Sequence, residues 1–278
     1  MEAFVEWSPS DAATMIARPG AHDDKYSRGV LGVMTGSEQY PGAAVLGVDS
    51  ALRTGVGMVR YRGPERATNL VLQRHPEAVT AEGRVQAWLL GSGMGEPDDD
   101  MRRMLLDALS EKVPTVVDAG ALGLLGHASG PVVATPHARE LGRLLGVEPD
   151  EISADPARWC AVAAERLGAV VLLKGSRTHV AGPRGTRLAC AEATPWLATA
   201  GTGDALGGIL GALLATHSAG LAGGGEEAER MLVRLAATAS LVHSLAALRA
   251  SGGAPFTVLE LNAAIPQTVA GLLSGIAE

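Results

Sequence analysis

The chain has 278 residues, of which 47% are hydrophobic and 19% are charged, the balance of a folded globular protein rather than a disordered one. Lys and Arg number 23 against 30 Asp and Glu, so the formal net charge is −7, and no basic run suited to a phosphate backbone occurs. The two cysteines, Cys160 and Cys190, are too few for a disulfide framework and lack zinc-site spacing. We therefore expect no nucleic-acid partner, no structural metal and a cytoplasmic location.

The N-terminal residues MEAFVEWSPSD lack a basic segment followed by an apolar one, and no apolar run reaches the roughly 18–20 residues that span a bilayer. We expect neither a targeting segment nor a membrane segment. Glycine accounts for 36 residues, roughly twice the usual share, and falls at the ends of apolar segments, where turns and ligand loops form.

From Val30 onward, short β-branched runs alternate with longer helical stretches, which predicts βα units around a mostly parallel sheet. The runs are mostly apolar, which suits strands covered on both faces. Strands are expected at 30–35, 57–61, 87–90, 114–119, 131–135 and 169–174, with a hairpin at 178–190. Helices are expected at 41–54, 64–74, 98–110, 137–145, 155–167, 204–216, 226–250 and 257–273.

No shift in composition divides the chain, which predicts one α/β domain over 1–278 with residues 1–25 as an N-terminal extension. The helix at 226–250 is apolar on nearly all sides beyond Met231, so we expect it to be buried or packed at a subunit contact. Gly220 to Gly225 is expected to be a flexible connector. The acids at 98–100 are interpreted as favouring the dipole of the helix they open rather than as a metal cluster.

The segment ATAGTGDALGGILGALLA at 198–215 is a glycine-rich turn that leads directly into an apolar helix. Free N–H groups at Gly201, Thr202 and Gly203 would form an anion-binding nest at the positive helix end. Asp204 could then accept a proton from a substrate hydroxyl that attacks a phosphate. The alternative, a helix-capping acid, explains Asp204 but not the small residues around it.

Three further glycines lie inside the same predicted helix, at Gly207, Gly208 and Gly211. Each costs roughly 0.8–1 kcal/mol of helix propensity relative to Ala. We therefore expect a ligand or a neighbouring backbone to approach the helix closely at these positions.

Four other loops follow predicted strands, where ligands of open α/β sheets bind. GSEQYPGAA at 36–44 is a glycine turn that feeds a helix, and GSGMG at 91–95 could lie against a pyrophosphate or ribose. TPHARE at 135–140 places His137 at a helix start, and KGSRT at 174–178 places Lys174 at a strand end. Each also has a purely structural interpretation: a plain turn, a structural histidine or a solvated lysine.

Taken together, these motifs resemble the ADP/ATP-dependent NAD(P)H-hydrate dehydratase family of the ribokinase-like superfamily. The resemblance runs, in the order of the family, through 25–61, 89–95, 116–125, 132–146, 170–183 and 198–208. It implies a ribokinase-like α/β fold, a central mostly parallel sheet with helices on both faces. It also implies ADP-dependent dehydration of the hydrated cofactors NADHX and NADPHX to NADH and NADPH, giving AMP and phosphate.

The resemblance also implies roles for individual residues. Asp204 is the expected catalytic residue, and Mg²⁺ is expected with the ADP phosphoryl donor. The expected contacts to the hydrate are Ala43, Gly93, His137 and Asp204. The expected contacts to the nucleotide are Lys174, Gly175, Ser176, Arg177, Thr178, Gly201, Thr202 and Gly203.

In two places the chain departs from the family pattern. Ala138 and Arg139 stand where proline and glycine usually follow the histidine, while Glu140 fits the family. Gly120 and Gly123 stand where a second acid and an Asn are common, so Asp118 receives no catalytic role and the metal ligands stay unassigned.

The resemblance extends to partners. The family's epimerase activity often resides in a fused N-terminal domain, and about 25 residues precede Lys25, so we expect a separate epimerase in the same pathway. A homo-oligomer is also expected. Two alternatives stay open: a ribokinase-like kinase of small alcohols of the thiazole or hydroxymethylpyrimidine type, and a nucleotide-binding sensor without catalysis.

Overall fold

The structure, a computed structural model, describes residues 3–275 and is built on a nine-stranded sheet. The order across the sheet is β1-β9-β8-β7-β6-β5-β4-β2-β3, and all neighbours are parallel except β8, which is antiparallel to both β7 and β9. The strands are β1 (Val5–Glu6), β2 (Val30–Met34), β3 (Met58–Tyr61), β4 (Ala87–Leu90), β5 (Thr115–Val117), β6 (Val132–Ala134), β7 (Val170–Leu173), β8 (His179–Ala181) and β9 (Arg187–Ala189).

Helices follow most of the strands and bury both faces of the sheet. They are α1 (Pro9–Ala13), α2 (Gly42–Thr54), α3 (Glu65–Arg74), α4 (Asp99–Ser110), α5 (Ala138–Leu145), α6 (Pro149–Ala154), α7 (Pro156–Leu167), α8 (Thr202–Thr216), α9 (Ser218–Leu221), α10 (Gly225–Ser251) and α11 (Val258–Ser274). Two 3₁₀ helices lie at Ala119–His127 and Pro195–Leu197. Asp98 caps α4 by accepting a hydrogen bond from the Met101 amide. The acids at 98–100 therefore open this helix, as sequence analysis predicted.

The two helical layers bury alternate residues of the same strands. In β2, Leu31 and Val33 face the layer of α1, α2, α3, α8, α10 and α11. Val30 and Met34 face the opposite layer, which holds α4 and the 3₁₀ turn that follows β5, and α5, α6 and α7 cover that side of β7 and β8. The period of two and the apolar residues on both faces are those of a doubly covered sheet. The predicted fold class is confirmed.

All predicted helices and strands occur, with bounds that differ by a few residues. Sequence analysis missed six elements: β1, α1, α6, α9 and the two 3₁₀ helices. The flexible connector predicted at 220–225 is wrong in part, because Gly220 and Leu221 belong to α9 and Gly225 begins α10. The buried side chain of Leu221 holds the short helix against the core.

The segment at 1–25, predicted as an N-terminal extension, contributes β1 to one edge of the sheet. Strand β1 pairs in parallel with β9. The Trp7 indole is buried and donates a hydrogen bond of 3.1 Å to Thr238 Oγ1 on α10, and Ala12 of α1 is fully buried. The segment from Val5 to Ile16 therefore contributes directly to the core.

Helix α10 packs against α8 and α11. Within the described part of the chain it is the one helix whose length and hydropathy would let it cross a bilayer, and 72% of its most apolar stretch is buried inside the protein. Its all-round apolar character is that of a central core helix, one of the two placements predicted.

Helices α2 and α8 approach each other closely. A Cβ on Gly208 would lie 2.0 Å from Ser50 Oγ and 2.1 Å from the Gly47 carbonyl oxygen, and one on Gly211 would lie 3.0 Å from Leu31. Even the side chain of alanine does not fit at Gly208. The predicted close approach of a neighbouring backbone is confirmed at Gly208, where that backbone is α2, but at Gly207 and Gly211 the nearest atoms belong to the side chains of Leu89 and Leu31.

Candidate functional site

Three polar side chains meet where β4, β5 and β6 end at the carboxyl edge of the sheet. Asp118, which follows β5, is only 4% exposed. Its carboxylate accepts hydrogen bonds from Ser92 Oγ at 3.0 Å and from Thr135 Oγ1 at 2.8 Å. Ser92 and Thr135 come just after β4 and β6, so the parallel register brings all three together.

Lys174, which directly follows β7, adds a cation to this group. Its Nζ lies 2.8 Å from Asp118 Oδ1 and 3.8 Å from Glu140 Oε2. Burial lowers the pKa of Lys174, but the two carboxylates outweigh it and hold the pKa above its usual value. The ammonium group therefore stays charged at neutral pH.

Asp204 lies on the first turn of α8 beside this ion pair. Burial and the nearby negative charge of Asp118 raise its pKa to about 7, against the opposing effect of Lys174. A carboxyl group poised near neutrality is suited to exchange protons with a substrate. Asp204 and Asp118 thus have separated roles, the first available for proton transfer and the second tied up by three donors.

Of the three backbone amides predicted to form an anion-binding nest, those of Gly201 and Gly203 lack a backbone acceptor in the part of the chain that the structure describes, and anion binding there stays a prediction. Gly201 adopts φ 94°, a left-handed conformation that favours glycine. The Thr202 amide donates to the Thr199 carbonyl at 3.4 Å, so it is not free as predicted. Within residues 3–275, the amides of Gly201, Gly203 and Asp204 find no backbone acceptor, and a Cβ on Gly203 would lie 3.8 Å from Lys174 Nζ. The nest and the lysine therefore border the same space.

His137 stands at the N-terminus of α5, as expected. Its Nδ1 accepts a hydrogen bond of 3.2 Å from the Glu140 amide, and Glu140 Oε2 accepts one of 2.9 Å from the His137 amide, forming a capping box. The side chain is half-exposed. The structure thus assigns His137 a structural role, and its contact with substrate stays a prediction.

Ala43 and Gly93 are brought together, although they lie 50 residues apart in the chain. Gly93 adopts φ 66°, and a Cβ there would lie 2.2 Å from Ala43 Cβ and 3.3 Å from the Tyr40 carbonyl oxygen. Only small residues permit this contact between the turn after β2 and the turn after β4. Ser92, next to Gly93, links it through Asp118 to Lys174.

The remaining residues of the 174–178 loop extend outward. Gly175, Ser176 and Arg177 are exposed, and the Arg177 guanidinium lies 3.2 Å from Glu6 Oε2. Among the five, Lys174 is the one whose side chain joins the Asp118 group. The other four contribute an open loop beside it, and their contact with a nucleotide stays a prediction.

Three polar residues of the site escaped sequence analysis: Ser92, Thr135 and His243. The first two carried a usable signal, since they belong to the segments 91–95 and 135–140 that sequence analysis places at the ligand edge without singling these residues out. His243 carried none, because it is an isolated histidine in an apolar helix. Burial, with the positive charge of Lys174, lowers the pKa of His243 to about 4 against an opposing hydrogen bond to the Thr202 backbone, so a neutral imidazole supports the nest from α10.

The residues do not form a metal centre by themselves. Among residues 3–275, no group of three or more His, Cys, Asp or Glu side chains is arranged to hold a metal ion. Both Asp118 oxygens already accept hydrogen bonds. Two cavities, of about 390 Å³ near Arg184 and about 260 Å³ near Arg53, lie elsewhere and do not include Asp204.

Free backbone amides, a carboxyl group of raised pKa and a charged lysine thus lie together at the carboxyl edge of a ribokinase-like fold, an arrangement of groups that suits phosphoryl transfer. The crystal structure of the ADP/ATP-dependent NAD(P)H-hydrate dehydratase from Bacillus subtilis, co-crystallised with ATP and Mg²⁺, has the same fold, with a TM-score of 0.82 and 23% identity, covering 96% of this chain and 98% of that one. The profile of the NAD(P)H-hydrate dehydratase family matches residues 31–265. The chain belongs to the NAD(P)H-hydrate dehydratase family.

Two relatives illustrate the range within the family. The bifunctional NAD(P)H-hydrate repair enzyme of Mycobacterium leprae is 43% identical over 218 residues, which cover 74% of this chain and 45% of that protein. The ADP-dependent (S)-NAD(P)H-hydrate dehydratase of Bacillus subtilis is 29% identical over 224 residues, covering 76% of this chain and 81% of that protein. The chain thus matches less than half the length of the bifunctional relative.

Proposed function

We propose that this protein removes water from NADHX and NADPHX at the expense of ADP, returning NADH or NADPH with AMP and phosphate. The observation that carries the proposal is Asp204, a carboxyl group with a pKa of about 7 at the mouth of an anion nest that borders Lys174. Family membership and the dehydratase name of the Bacillus subtilis relative support the substrate.

In the first step, the Asp204 carboxylate accepts the proton of the hydrate's ring hydroxyl. The hydroxyl oxygen bonds to the terminal phosphorus of ADP as the bond to the bridging oxygen breaks and AMP leaves. The free amides of the nest and the Lys174 ammonium neutralise the charge that develops on the phosphoryl oxygens. Asp118, held by Ser92 and Thr135, keeps Lys174 in place.

In the second step, the phosphorylated hydrate loses phosphate. The carbon–oxygen bond breaks, a proton leaves the neighbouring ring carbon, and the ring double bond is restored. The sum is hydrate plus ADP giving reduced cofactor, AMP, phosphate and one proton. Phosphorylation makes hydroxyl a good leaving group, which is why a kinase-like site serves a dehydration.

The deciding experiment incubates purified protein with enzymatically prepared NADHX and ADP and follows absorbance at 340 nm. Recovery of NADH that depends on both ADP and protein supports the proposal. Phosphorylation of a thiazole or hydroxymethylpyrimidine alcohol by ATP, without NADH recovery, would establish the kinase alternative instead. Tight ADP binding with no turnover of any of these would establish the sensor, although the presence of Asp204 argues against it.

We also propose ADP rather than ATP as the preferred donor. The transferred group must lie at the nest beside Lys174, and a two-phosphate chain would place the adenosine against the 174–178 loop. ATP would place its terminal phosphoryl group too far along or displace the adenosine. NADH recovery measured with each nucleotide separately tests this: efficient turnover with ATP and none with ADP free of contaminants contradicts the donor assignment and leaves the dehydratase standing.

Mg²⁺ would accompany the nucleotide, since it binds readily through phosphates with one or two carboxylates and retained waters. The Bacillus subtilis dehydratase of the same fold was co-crystallised with ATP and Mg²⁺, which supports this proposal.

The remaining expectations about partners stand as proposals of the same kind. A separate epimerase would convert the other hydrate epimer, and the bifunctional repair enzymes among the relatives support such a partner. Size-exclusion chromatography with light scattering would test the homo-oligomer. The buried, unpaired thiols of Cys160 and Cys190 support a reducing, cytoplasmic setting.

A further inference from the structure

The four tryptophans of the chain differ sharply in exposure. Trp7, Trp88 and Trp159 are at most 9% exposed, whereas Trp196 is 43% exposed. Trp196 is the middle residue of the short 3₁₀ helix at Pro195–Leu197, immediately before the nest. An indole is the largest apolar side chain, and in a chain with 3% aromatic residues its exposure beside a candidate site calls for a physical reason.

Hydrogen bonds fix the backbone around Trp196 between two parts of the site. On one side, the Ala193 amide donates to the Ser176 carbonyl at 2.9 Å, which ties the segment to the 174–178 loop. On the other side, Thr202 Oγ1 in the nest donates to the Leu197 carbonyl at 3.0 Å. Trp196 therefore lies on a segment that is hydrogen-bonded to the proposed nucleotide loop on one side and to the proposed phosphate nest on the other.

The indole itself has no partner in the described structure. The Nε1 of Trp7 and that of Trp88 donate to Thr238 and Glu111, but within residues 3–275 the Trp196 ring has neither a hydrogen-bond partner nor a stacked aromatic neighbour. A flat, partly desolvated ring held by a rigid backbone is well prepared to stack on another flat ring, because little side-chain freedom remains to be lost.

We propose that Trp196 is a stacking platform for the adenine base of the nucleotide, an inference that rests on the proposed function. Phosphates held at the nest beside Lys174 leave the adenosine to extend toward the loop that is hydrogen-bonded to the Trp196 segment. The other flat ligand, the nicotinamide ring, belongs with Ala43 and Gly93, which lie beside a different exposed aromatic residue, Tyr40. Stacking on an aromatic ring provides affinity for the base. Because ADP and ATP carry the same base, Trp196 does not discriminate between them.

The test compares Trp196→Ala and Trp196→Phe with the wild type, using calorimetry with ADP and with inorganic pyrophosphate. Loss of one base–aromatic stack weakens binding by roughly 5- to 150-fold. We expect Trp196→Ala to raise the Kd of ADP at least about fivefold, Trp196→Phe to restore most of it, and neither to change the Kd of pyrophosphate, which has no base. Tyr26→Ala is the matched control, since this exposed aromatic lies before β2, at the amino edge of the sheet, and should leave both Kd values unchanged.

Fluorescence supplies a second measurement that a merely structural role would not move. Because the other three tryptophans are buried, ADP should alter the emission of the wild type, and Trp196→Phe should abolish that change while still binding ADP. In the hydrate assay at saturating ADP, kcat should stay near wild type and the KM for ADP should rise.

Three results overturn the platform. If Trp196→Ala leaves the Kd of ADP unchanged, the adenine base does not stack on Trp196. If Trp196→Ala weakens the binding of pyrophosphate as much as that of ADP, the variant has damaged the nest. If Trp196→Ala raises the KM for the hydrate alone, the Trp196 indole contacts the nicotinamide ring instead of the adenine. The two binding results do not depend on whether the wild type turns over hydrate, so failure of the platform and failure of the proposed function are distinguishable.

Discussion

The substitution Asp204→Asn should have opposite effects on two quantities: it should lower the turnover of the hydrate and raise the free energy of unfolding. The substitution keeps the shape of the side chain and removes its ability to accept a proton. If Asp204 is the base, turnover of the hydrate falls by at least about 10²-fold, the scale of lost general-base catalysis. In the wild type, kcat/KM should rise with pH up to about pH 7, where Asp204 ionises. Near wild-type turnover by the folded variant would refute the role.

The same variant should be more stable than the wild type, and the gain should grow with pH. The pKa of Asp204 is raised from 3.8 in the unfolded reference to about 7 in the folded protein. Between these values the unfolded chain has released the proton and the folded chain still holds it, so the wild type loses stability as pH rises. The full difference corresponds to an upper bound of about 4 kcal/mol at neutral pH. Since the side chain is only partly buried, we expect about 1–3 kcal/mol.

Urea unfolding at pH 5 and pH 8 measures this effect. The stabilisation of Asp204→Asn over the wild type should be larger at pH 8 by about 1–2 kcal/mol and should vanish below pH 4. Asp100→Asn, a change on the exposed face of α4, is the matched control and should show no such trend. A gain that does not depend on pH would mean that the carboxyl group is not strained by burial, and the reasoning about its poised pKa would fail.

Three further variants test the surroundings. Lys174→Ala should raise the Kd of ADP by about tenfold or more while changing hydrate binding little, because the ammonium meets the donor phosphates; calorimetry that shows unchanged ADP affinity contradicts this. Ser92→Ala should lower kcat severalfold with little change in the KM for ADP, since Asp118 loses a donor that fixes its orientation; steady-state kinetics identical to wild type would show that the hydrogen bond is dispensable. Gly208→Ala should cost about 1–3 kcal/mol or more of unfolding free energy, whereas Gly123→Ala, which has open space around it, should cost almost nothing; equal urea midpoints would mean that α2 and α8 can move apart freely.

Most of the sheet could be predicted from sequence because its strands obey one simple rule. The strands from β2 to β7 are mostly buried on both faces, so most of them are short apolar runs, with Arg60 in β3 and Thr115 in β5 as the polar residues. Strand β1 has two residues and α1 and α6 have five and six, too short for any periodicity to be counted. Their places depend on distant contacts such as the one between Trp7 and Thr238.

The site, too, contains residues that a local sequence pattern predicts and residues that only distant contacts define. Asp204 and Lys174 were predicted because each ends a recognisable local pattern, a glycine-rich turn or an apolar strand. The role of Asp118 could not be read locally, because it is defined by donors 17, 26 and 56 residues away. The Nδ1 of His137 takes part in a capping box that the sequence TPHARE already contains, while its contact with substrate stays a prediction.

The contact between α2 and α8 limits how far Ala43, on α2, and Asp204, on α8, can move apart. The helices touch at Gly47, four residues after Ala43, and at Gly208, four residues after Asp204. At 1.5 Å per residue, the lever arm from this pivot to Asp204 is about 6 Å, so rocking by 10° displaces the carboxyl group by only about 1 Å. The far ends of both helices, at Thr54 and Thr216, are longer arms and border the same cavity near Arg53. Rocking of the two helices about their contact therefore moves Ala43 and Asp204 less than it moves Thr54 and Thr216.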